Sequence, residues 1–267
     1  MRRAVGVTCF SLCALIASRV CAPGGTEAVA WKSYETSIGA SQDIALTGGS
    51  SVQLNTSTKL RIYIGGHYRA VILERGEAFF HVVGSPLRVN VGDLFISASN
   101  ASFSVRDYGV GDTDVMALDG RIRIDFEPAQ SSGSLPIARR VGWVVPAGQI
   151  AAVRTGRVSL HALGHANIER KLMWRYGMLE FVDETIENIA VEFNRYSRTR
   201  LVVDDDSIRN LRVGGRFSAL DLDTFVVTVS KVFGLHPQTR QTASGAVVGL
   251  RLGEISRTAD ANASPAP

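Results

Sequence analysis

Two histidines at a helical spacing are the first residues whose types suggest chemistry. His161 and His165 lie four positions apart, so on a helix they would share a face that could bind a metal ion. Glu169, four positions further on, is the one acid of this stretch that extends the pattern. Because metal sites need a full ligand set, we interpret the stretch as solvated. The acids at 204–206 lack further calcium ligands at a defined spacing, which favours a turn with exposed charge.

The glycine pairs of the chain do not have the spacing of a phosphate loop. None of Gly48-Gly49, Gly65-Gly66 and Gly214-Gly215 follows a strand and opens a helix, so turns or bulges explain them better. The sequence also has no Gly-x-Ser-x-Gly elbow and no His-Glu-x-x-His zinc motif. We therefore predict a protein that is not an enzyme and that uses no cofactor.

The N-terminus has the composition of an export element. Arg2-Arg3 form a positive start, an apolar stretch follows to Ser18, and Val20-Cys21-Ala22 resembles a cleavage site. Residues 1–25 are thus predicted as a signal peptide or, through residues 4–22, as a short inner-membrane anchor. In both cases the rest of the chain lies in the periplasm. All three cysteines are in or beside this segment, so the exported part has no disulfide or thiolate site.

The charge of the chain argues against nucleic-acid binding. The formal net charge is +4, and three of the cations lie in the first 22 residues, which contain no acid. Nucleic-acid binding needs a concentrated set of cations on one face, and short pairs such as Arg139-Arg140 do not supply one.

Hydrophobic periodicity divides the exported part into two halves. From residue 31 to 154 short alternating runs follow one another, with Gly, Asp, Asn or Pro between them, which predicts an all-β domain. This pattern indicates strands but leaves sandwich, roll and solenoid topologies open. Residues 155–173 show no period and are predicted to be a linker. Residues 254–267 lack large apolar side chains and are predicted to be a disordered tail.

Residues 174–253 have the pattern of a small α/β layer fold with the order β-α-β-β-α-β-β. Asp183 is predicted to cap the first helix and Asp221 the second, which ends at Gly234. Strands are expected at 178–182, 201–203, 211–217, 235–239 and 247–252. The predicted length is enough for a unit that folds by itself.

The motifs of the first half resemble the FecR family. The segment 46–57 reads LTGGSSVQLNTS, the segment 73–82 reads LERGEAFFHV with Gly76, Glu77 and Phe79, and Ala147-Gly148-Gln149 follows near the end. The second half is similar to the C-terminal part of the same family, whose fold is that of the secretin and TonB short N-terminal domain. Its matching residues are Trp174, Gly177, Leu179, Phe181, Asn194, Arg195 and Tyr196 and the run from Val213 to Phe217. We interpret them as fold determinants first, since large apolar residues are normally buried. Asn194, Arg195 and Tyr196 are expected at a helix end, where they satisfy backbone carbonyls.

The resemblance implies a periplasmic sensor that relays an iron-siderophore signal from a TonB-dependent outer-membrane receptor to a sigma factor. Complete family members also have a cytoplasmic helical region that holds the sigma factor. Only three residues precede the apolar segment here. We therefore expect that an upstream region or a partner protein makes that contact, or that the sensor serves another use.

The partner that the resemblance implies is the signalling domain of the receptor. We expect it to engage the α/β domain by adding a strand to an exposed sheet edge. The candidate residues are Leu211, Val213, Gly214, Gly215 and Phe217, because two glycines allow another backbone to approach closely. The alternative is an envelope module that binds glycan or peptidoglycan without a role in transcription. Its nearest candidate residues are the sparse aromatics Tyr63, His67 and Tyr68.

Overall fold

The computed structural model describes residues 30–64, 69–126, 142–243 and 245–252. The predicted export segment 1–25, the tail 254–267, the pair Gly65-Gly66 and the aromatics His67 and Tyr68 lie outside these residues. Among the described residues, no helix is long and apolar enough to cross a membrane.

The first half of the described chain is all-β, as its alternating pattern predicts, and its thirteen strands form one sheet. Strand β5 is the longest and belongs to two wings of this sheet. Its first part pairs with β4 and β6, and its second part pairs with β3 and β8. The strands are β1 (Ala30–Glu35), β2 (Gln42–Ala45), β3 (Ser51–Leu54), β4 (Lys59–Ile64), β5 (Arg69–Val82), β6 (Leu87–Val91), β7 (Leu94–Ala98), β8 (Ala101–Gly109), β9 (Asp112–Asp119), β10 (Arg121–Phe126), β11 (Trp143–Pro146), β12 (Gln149–Arg154) and β13 (Arg157–Ala162).

Gly76 lies where β5 passes from one wing to the other. Its φ of 93° is unfavourable for residues with a side chain, and an added Cβ would lie 2.7 Å from the Cα of Thr58. The apolar residues of both wings then face one core, in which the rings of Phe80 and Phe103 stack at 5.0 Å. The two wings therefore enclose a single core and share one strand.

The predicted linker at 155–173 contains regular structure, which corrects the sequence-based assignment. Strand β13 extends the sheet through a hairpin with β12, and helix α1 (His165–Lys171) and a 3-10 turn (Met173–Tyr176) follow. No period is visible in the sequence because no residue of β13 is buried and α1 buries only Ile168.

The second half has the predicted order of strands and helices. Its elements are β14 (Met178–Thr185), α2 (Ile186–Tyr196), β15 (Arg200–Val203), β16 (Arg212–Ser218), α3 (Leu222–Phe233), β17 (Leu235–Thr242) and β18 (Gly245–Leu252). A further 3-10 turn occupies Asp206–Ile208. Strands β14 and β16 form an antiparallel ribbon, and β15, β18 and β17 form a second sheet in that order.

The start of α2 differs from the prediction, whereas α3 agrees with it. Thr185 rather than Asp183 caps α2, with its side chain accepting a hydrogen bond from the Asn188 backbone. Asp183 instead adopts a φ of 51° in the irregular part of β14, between Phe181 and Glu184. Asp221 caps the start of α3, and Gly234 ends the helix, as predicted.

The second core is built around aromatic rings and includes residues from the first half. Phe181, Phe193, Phe217 and Phe225 contact one another with ring centroids 4.7–6.4 Å apart. Phe79 of β5 and Met116 of β9 are buried in the same cluster. The two halves consequently share apolar surface as well as a chain connection.

Candidate functional site

A buried carboxylate from the first half lies at the centre of the interface between the halves. Glu77 follows the bend of β5 and its side chain is 3% exposed. Its Oε2 accepts a hydrogen bond of 2.6 Å from Nη2 of Arg195, near the end of α2, and one of 2.9 Å from Nδ2 of Asn55. Charge-assisted hydrogen bonds of this length are among the stronger ones in proteins.

The ion pair continues into a chain of four alternating charges, formed by Glu77, Arg195, Glu192 and Arg106. Arg195 Nη1 lies 3.0 Å from Glu192, and Nη1 of Arg106 on β8 lies 2.7 Å from Glu192. Burial acts to lower the pKa of Arg195, but the two carboxylates outweigh it and raise this pKa. Burial acts to raise the pKa of Glu192, but both arginines outweigh it and hold this pKa below its ordinary value. Both partners are therefore held in their charged forms.

Neutral hydrogen bonds reinforce the same contact. The side chain of Asn55 is also 2.9 Å from the Tyr196 hydroxyl, and Thr56 Oγ1 donates to the backbone oxygen of Arg195 at 3.0 Å. Burial raises the pKa of Tyr196. We call Asn55, Glu77, Arg106, Glu192, Arg195 and Tyr196 the interface network.

A second contact joins the halves beside the interface network. Arg175 lies with its guanidinium carbon 3.6 Å from the centroid of the Phe79 ring, and its Nε donates to Gln53 at 3.0 Å. Gln53 in turn donates to the Arg175 backbone oxygen at 3.1 Å. Cation-π contacts of this kind stabilise partly desolvated arginines.

A cleft of about 480 Å³ opens between the halves next to the interface network. This volume lies within the range of ordinary ligand sites. It is lined by β8, β9 and β12 on one side and by α1, β14 and α2 on the other. Its apolar lining includes Met116, Trp174 and Val191, and Arg170 and Lys171 add positive charge to it.

The residues first considered for chemistry lie apart from this interface. His165 Nδ1 is 3.5 Å from Glu169, and both side chains are more than half exposed. Asp204 pairs with Arg240, and Asp205 caps the 3-10 turn that follows it. No group of three potential metal-ligating His, Cys, Asp or Glu side chains occurs among the described residues.

The structure brings several predicted family residues together at the interface and places the others in the second core. Glu77, Arg195 and Tyr196 belong to the interface network, and Phe79 packs beside it. Trp174, Leu179 and Phe181 are buried in the second core, and Gly177 ends the 3-10 turn at a φ of 73°. Asn194 pairs through its amide with the backbone of Leu201, at 2.7 and 2.8 Å.

The expected role of Arg195 is corrected by these contacts. Its guanidinium binds carboxylates instead of helix carbonyls, because Glu77 presents a buried acceptor next to the helix end. Sequence reasoning did not single out Arg106, Arg175 or Glu192. The spacing of Glu192 and Arg195 by three residues was the one available signal, since such pairs meet on a helix surface.

The predicted interaction residues lie on or beside β16 at one edge of the ribbon. Val213 is buried, Phe217 packs against the second core, and Gly214 is exposed. Gly215 has a local explanation, because an added Cβ would lie 3.0 Å from the Phe217 ring. Leu211 precedes the strand and is partly buried.

Comparison with known proteins identifies a segment of the first half. Residues 32–123 match the family model described as FecR protein. These residues belong to the FecR family. The FecR segment contains Asn55, Glu77 and Arg106, so three members of the interface network lie within it.

Solved structures extend the likeness beyond the FecR segment. Two crystal structures of a candidate anti-sigma factor from Parabacteroides distasonis, at 2.50 and 1.65 Å resolution, each have a TM-score of 0.61 and 19% sequence identity. They cover 82% and 83% of this chain and 99% of their own. At this identity the likeness shows a shared fold. No curated protein matches the chain by sequence.

Proposed function

We propose that this FecR protein is a periplasmic sensor that receives the signalling domain of a TonB-dependent outer-membrane receptor and relays its state to a sigma factor. The observation that supports this most directly is the pairing of Glu77 with Arg195 across the interface. It joins the FecR segment to the α/β half, so an event at either half reaches the other. We assign the α/β half to the secretin and TonB short N-terminal type, whose order of elements it has.

The receptor contact is proposed at the free edge of β16. Ala219 N donates to Gly177 O and Ile186 N donates to Leu211 O, both at 2.9 Å, so odd-numbered residues of β16 face β14. The backbone groups of Arg212, Gly214, Arg216 and Ser218 consequently point away from β14. Within the described ranges, no strand pairs with this edge. Such an edge can accept a strand from a partner.

The test is binding of a receptor signalling domain encoded beside this gene, measured by calorimetry with the exported part of the chain. A proline at Arg216 removes one outward N–H without removing a bond to β14, so R216P should weaken binding at least about tenfold. Its matched control is E180P, which removes an outward N–H from the other edge of the ribbon and breaks the same Glu180–Arg216 ion pair. Absence of wild-type binding at tens of micromolar, or equal binding by R216P, contradicts the proposal.

A glycan-binding role has one observation in its favour. Trp31 is 45% exposed, its ring contacts that of Tyr63 edge to face at 5.4 Å, and the Arg61 guanidinium lies 5.5 Å from it. Partly exposed aromatic rings can stack on sugars. Sedimentation with purified peptidoglycan tests this role, which requires that the wild type bind and that W31A lose binding.

A further inference from the structure

The inner edge of the ribbon faces the cleft and has no strand partner among the described residues. Backbone groups alternate in direction along an antiparallel pair. Because those of the odd-numbered residues of β16 point toward β14, those of their partners Gly177, Leu179 and Phe181 point toward β16. The backbone groups of Met178 and Glu180 therefore point away from β16. Both residues line the cleft. The irregular pairing after Phe181 limits the accessible edge to these positions.

Several side chains that line the cleft beside this edge are apolar, and two of them are exposed. Val182 on β14 and Val191 on α2 are 58% and 56% exposed. They line the same cleft as the largely buried Met116 and Trp174. The backbone edge is thus flanked by apolar side chains, as in sites that take an extended peptide.

The charges of the cleft favour an acidic occupant. Glu77, Asp114, Glu180 and Glu192 already have arginine partners. Arg170 and Lys171 at the end of α1 line the cleft, and no ion pair is formed by either within the described residues. The one remaining carboxylate, Glu184, is hydrogen-bonded to Asn188 and to the Thr185 backbone. Among the described residues that line the cleft, the two cations without an ion pair therefore outnumber the one carboxylate without one.

We infer that this cleft is a second docking site, which binds an extended segment of a partner protein with alternating acidic and apolar residues. The segment adds as a short strand to β14 at Met178 and Glu180. Its apolar side chains contact Val182 and Val191, and its carboxylates pair with Arg170 and Lys171. The site is separate from the receptor contact proposed on β16, because the two occupy opposite edges of the ribbon.

The probe is a fluorescein-labelled peptide of alternating aspartate and valine, with the matched lysine-valine peptide as its control. Fluorescence anisotropy with the exported part of the chain should show saturable binding of the acidic peptide, weakened by salt, and at least about tenfold weaker binding of the basic one. The double reversal R170E/K171E should weaken binding of the acidic peptide about tenfold, since Lys171 is exposed, Arg170 is only partly buried, and each pairs with the peptide at most once.

Proline variants separate this edge from the other. E180P should weaken binding of the acidic peptide at least about tenfold, whereas R216P should leave the affinity for this peptide unchanged. If E180P does not fold, the charge reversal decides alone, because the side chains of Arg170 and Lys171 form no ion pair or hydrogen bond with the described part of the chain. No binding of the acidic peptide to the wild type, or equal binding by R170E/K171E, overturns the inference. A failure of the receptor test on R216P does not affect it.

Discussion

Replacing Arg195 by methionine tests the interface network directly. In the folded state the substitution leaves Glu77, whose side chain is 3% exposed, with Asn55 as its remaining side-chain partner. Removing one member of a buried ion pair typically costs about 3–5 kcal/mol, because the other charge stays buried without compensation. Methionine keeps most of the aliphatic volume, so this loss reports charge rather than a cavity. We expect R195M to lose about 3–5 kcal/mol of unfolding free energy.

Urea unfolding followed by circular dichroism and by Trp174 fluorescence measures this loss, with Trp31 and Trp143 replaced by phenylalanine. Trp174 is buried in the second core, so its signal reports the α/β half while circular dichroism reports mainly the larger sheet. In the wild type both signals should change together. In R195M the Trp174 transition should come first, since the contact between the halves is weakened.

The control is R209M, which breaks the Arg209–Glu187 pair, whose side chains are 45% and 50% exposed. It should cost at most about 1 kcal/mol. The double variant E77Q/R195M should be more stable than R195M, because the buried side chain at position 77 is then a neutral amide and no longer an unpaired charge. Losses of equal size in R195M and R209M, or a further loss when E77Q is added, would refute the account of Glu77 as a buried charge that depends on Arg195.

Three shorter predictions concern the bend, the pH response and a helix cap. G76A should lose more unfolding free energy than G92A, by at least about 1 kcal/mol, because both glycines have positive φ but only the added Cβ of residue 76 would approach Thr58 closely. The pKa of Glu192 is lowered on folding, so its contribution to stability is complete above its ordinary pKa of 4.5 and declines as the pH falls below it; E192Q should flatten this acid limb in urea titrations from pH 6 to 3. D221A should lower the unfolding free energy by about 1 kcal/mol through loss of the cap on α3, and D221N should retain most of it.

The types of element could be predicted from the sequence because periodicity depends on which face of each element is buried. The series of strands before residue 154 and the helices with stripes at Ile186–Tyr196 and Leu222–Phe233 are examples. Helix α1 and strand β13 could not be predicted, since almost none of their residues are buried. The start of α2 was misplaced because Asp183 and Thr185 are both good caps, and only the irregular pairing of β14 decides between them.

The interface network could be predicted only in part. The family motifs already contained Glu77 and Arg195, but their pairing joins residues 118 positions apart. The sequence does not indicate that Glu77 or Arg195 is buried, because glutamate and arginine are usually surface residues. The pairing of β5 in both wings could not be predicted either. Alternation indicates which side chains of a strand are buried, but not which strands lie beside it.

Helix α2 is the element through which an event at either edge of the ribbon would reach the FecR segment. Its buried face contacts β14 through Phe193 and Phe181, whose ring centroids are 6.2 Å apart, while Val191 lines the cleft. Its last turn presents Glu192 and Arg195 to the first half at 2.6–2.7 Å. Such short contacts are lost on a shift of one or two ångströms, whereas apolar packing tolerates small displacements with less change in energy. We therefore propose that a partner strand that displaces α2 acts first on the interface network. R195M should then reduce the structural change that a bound partner produces in the FecR segment.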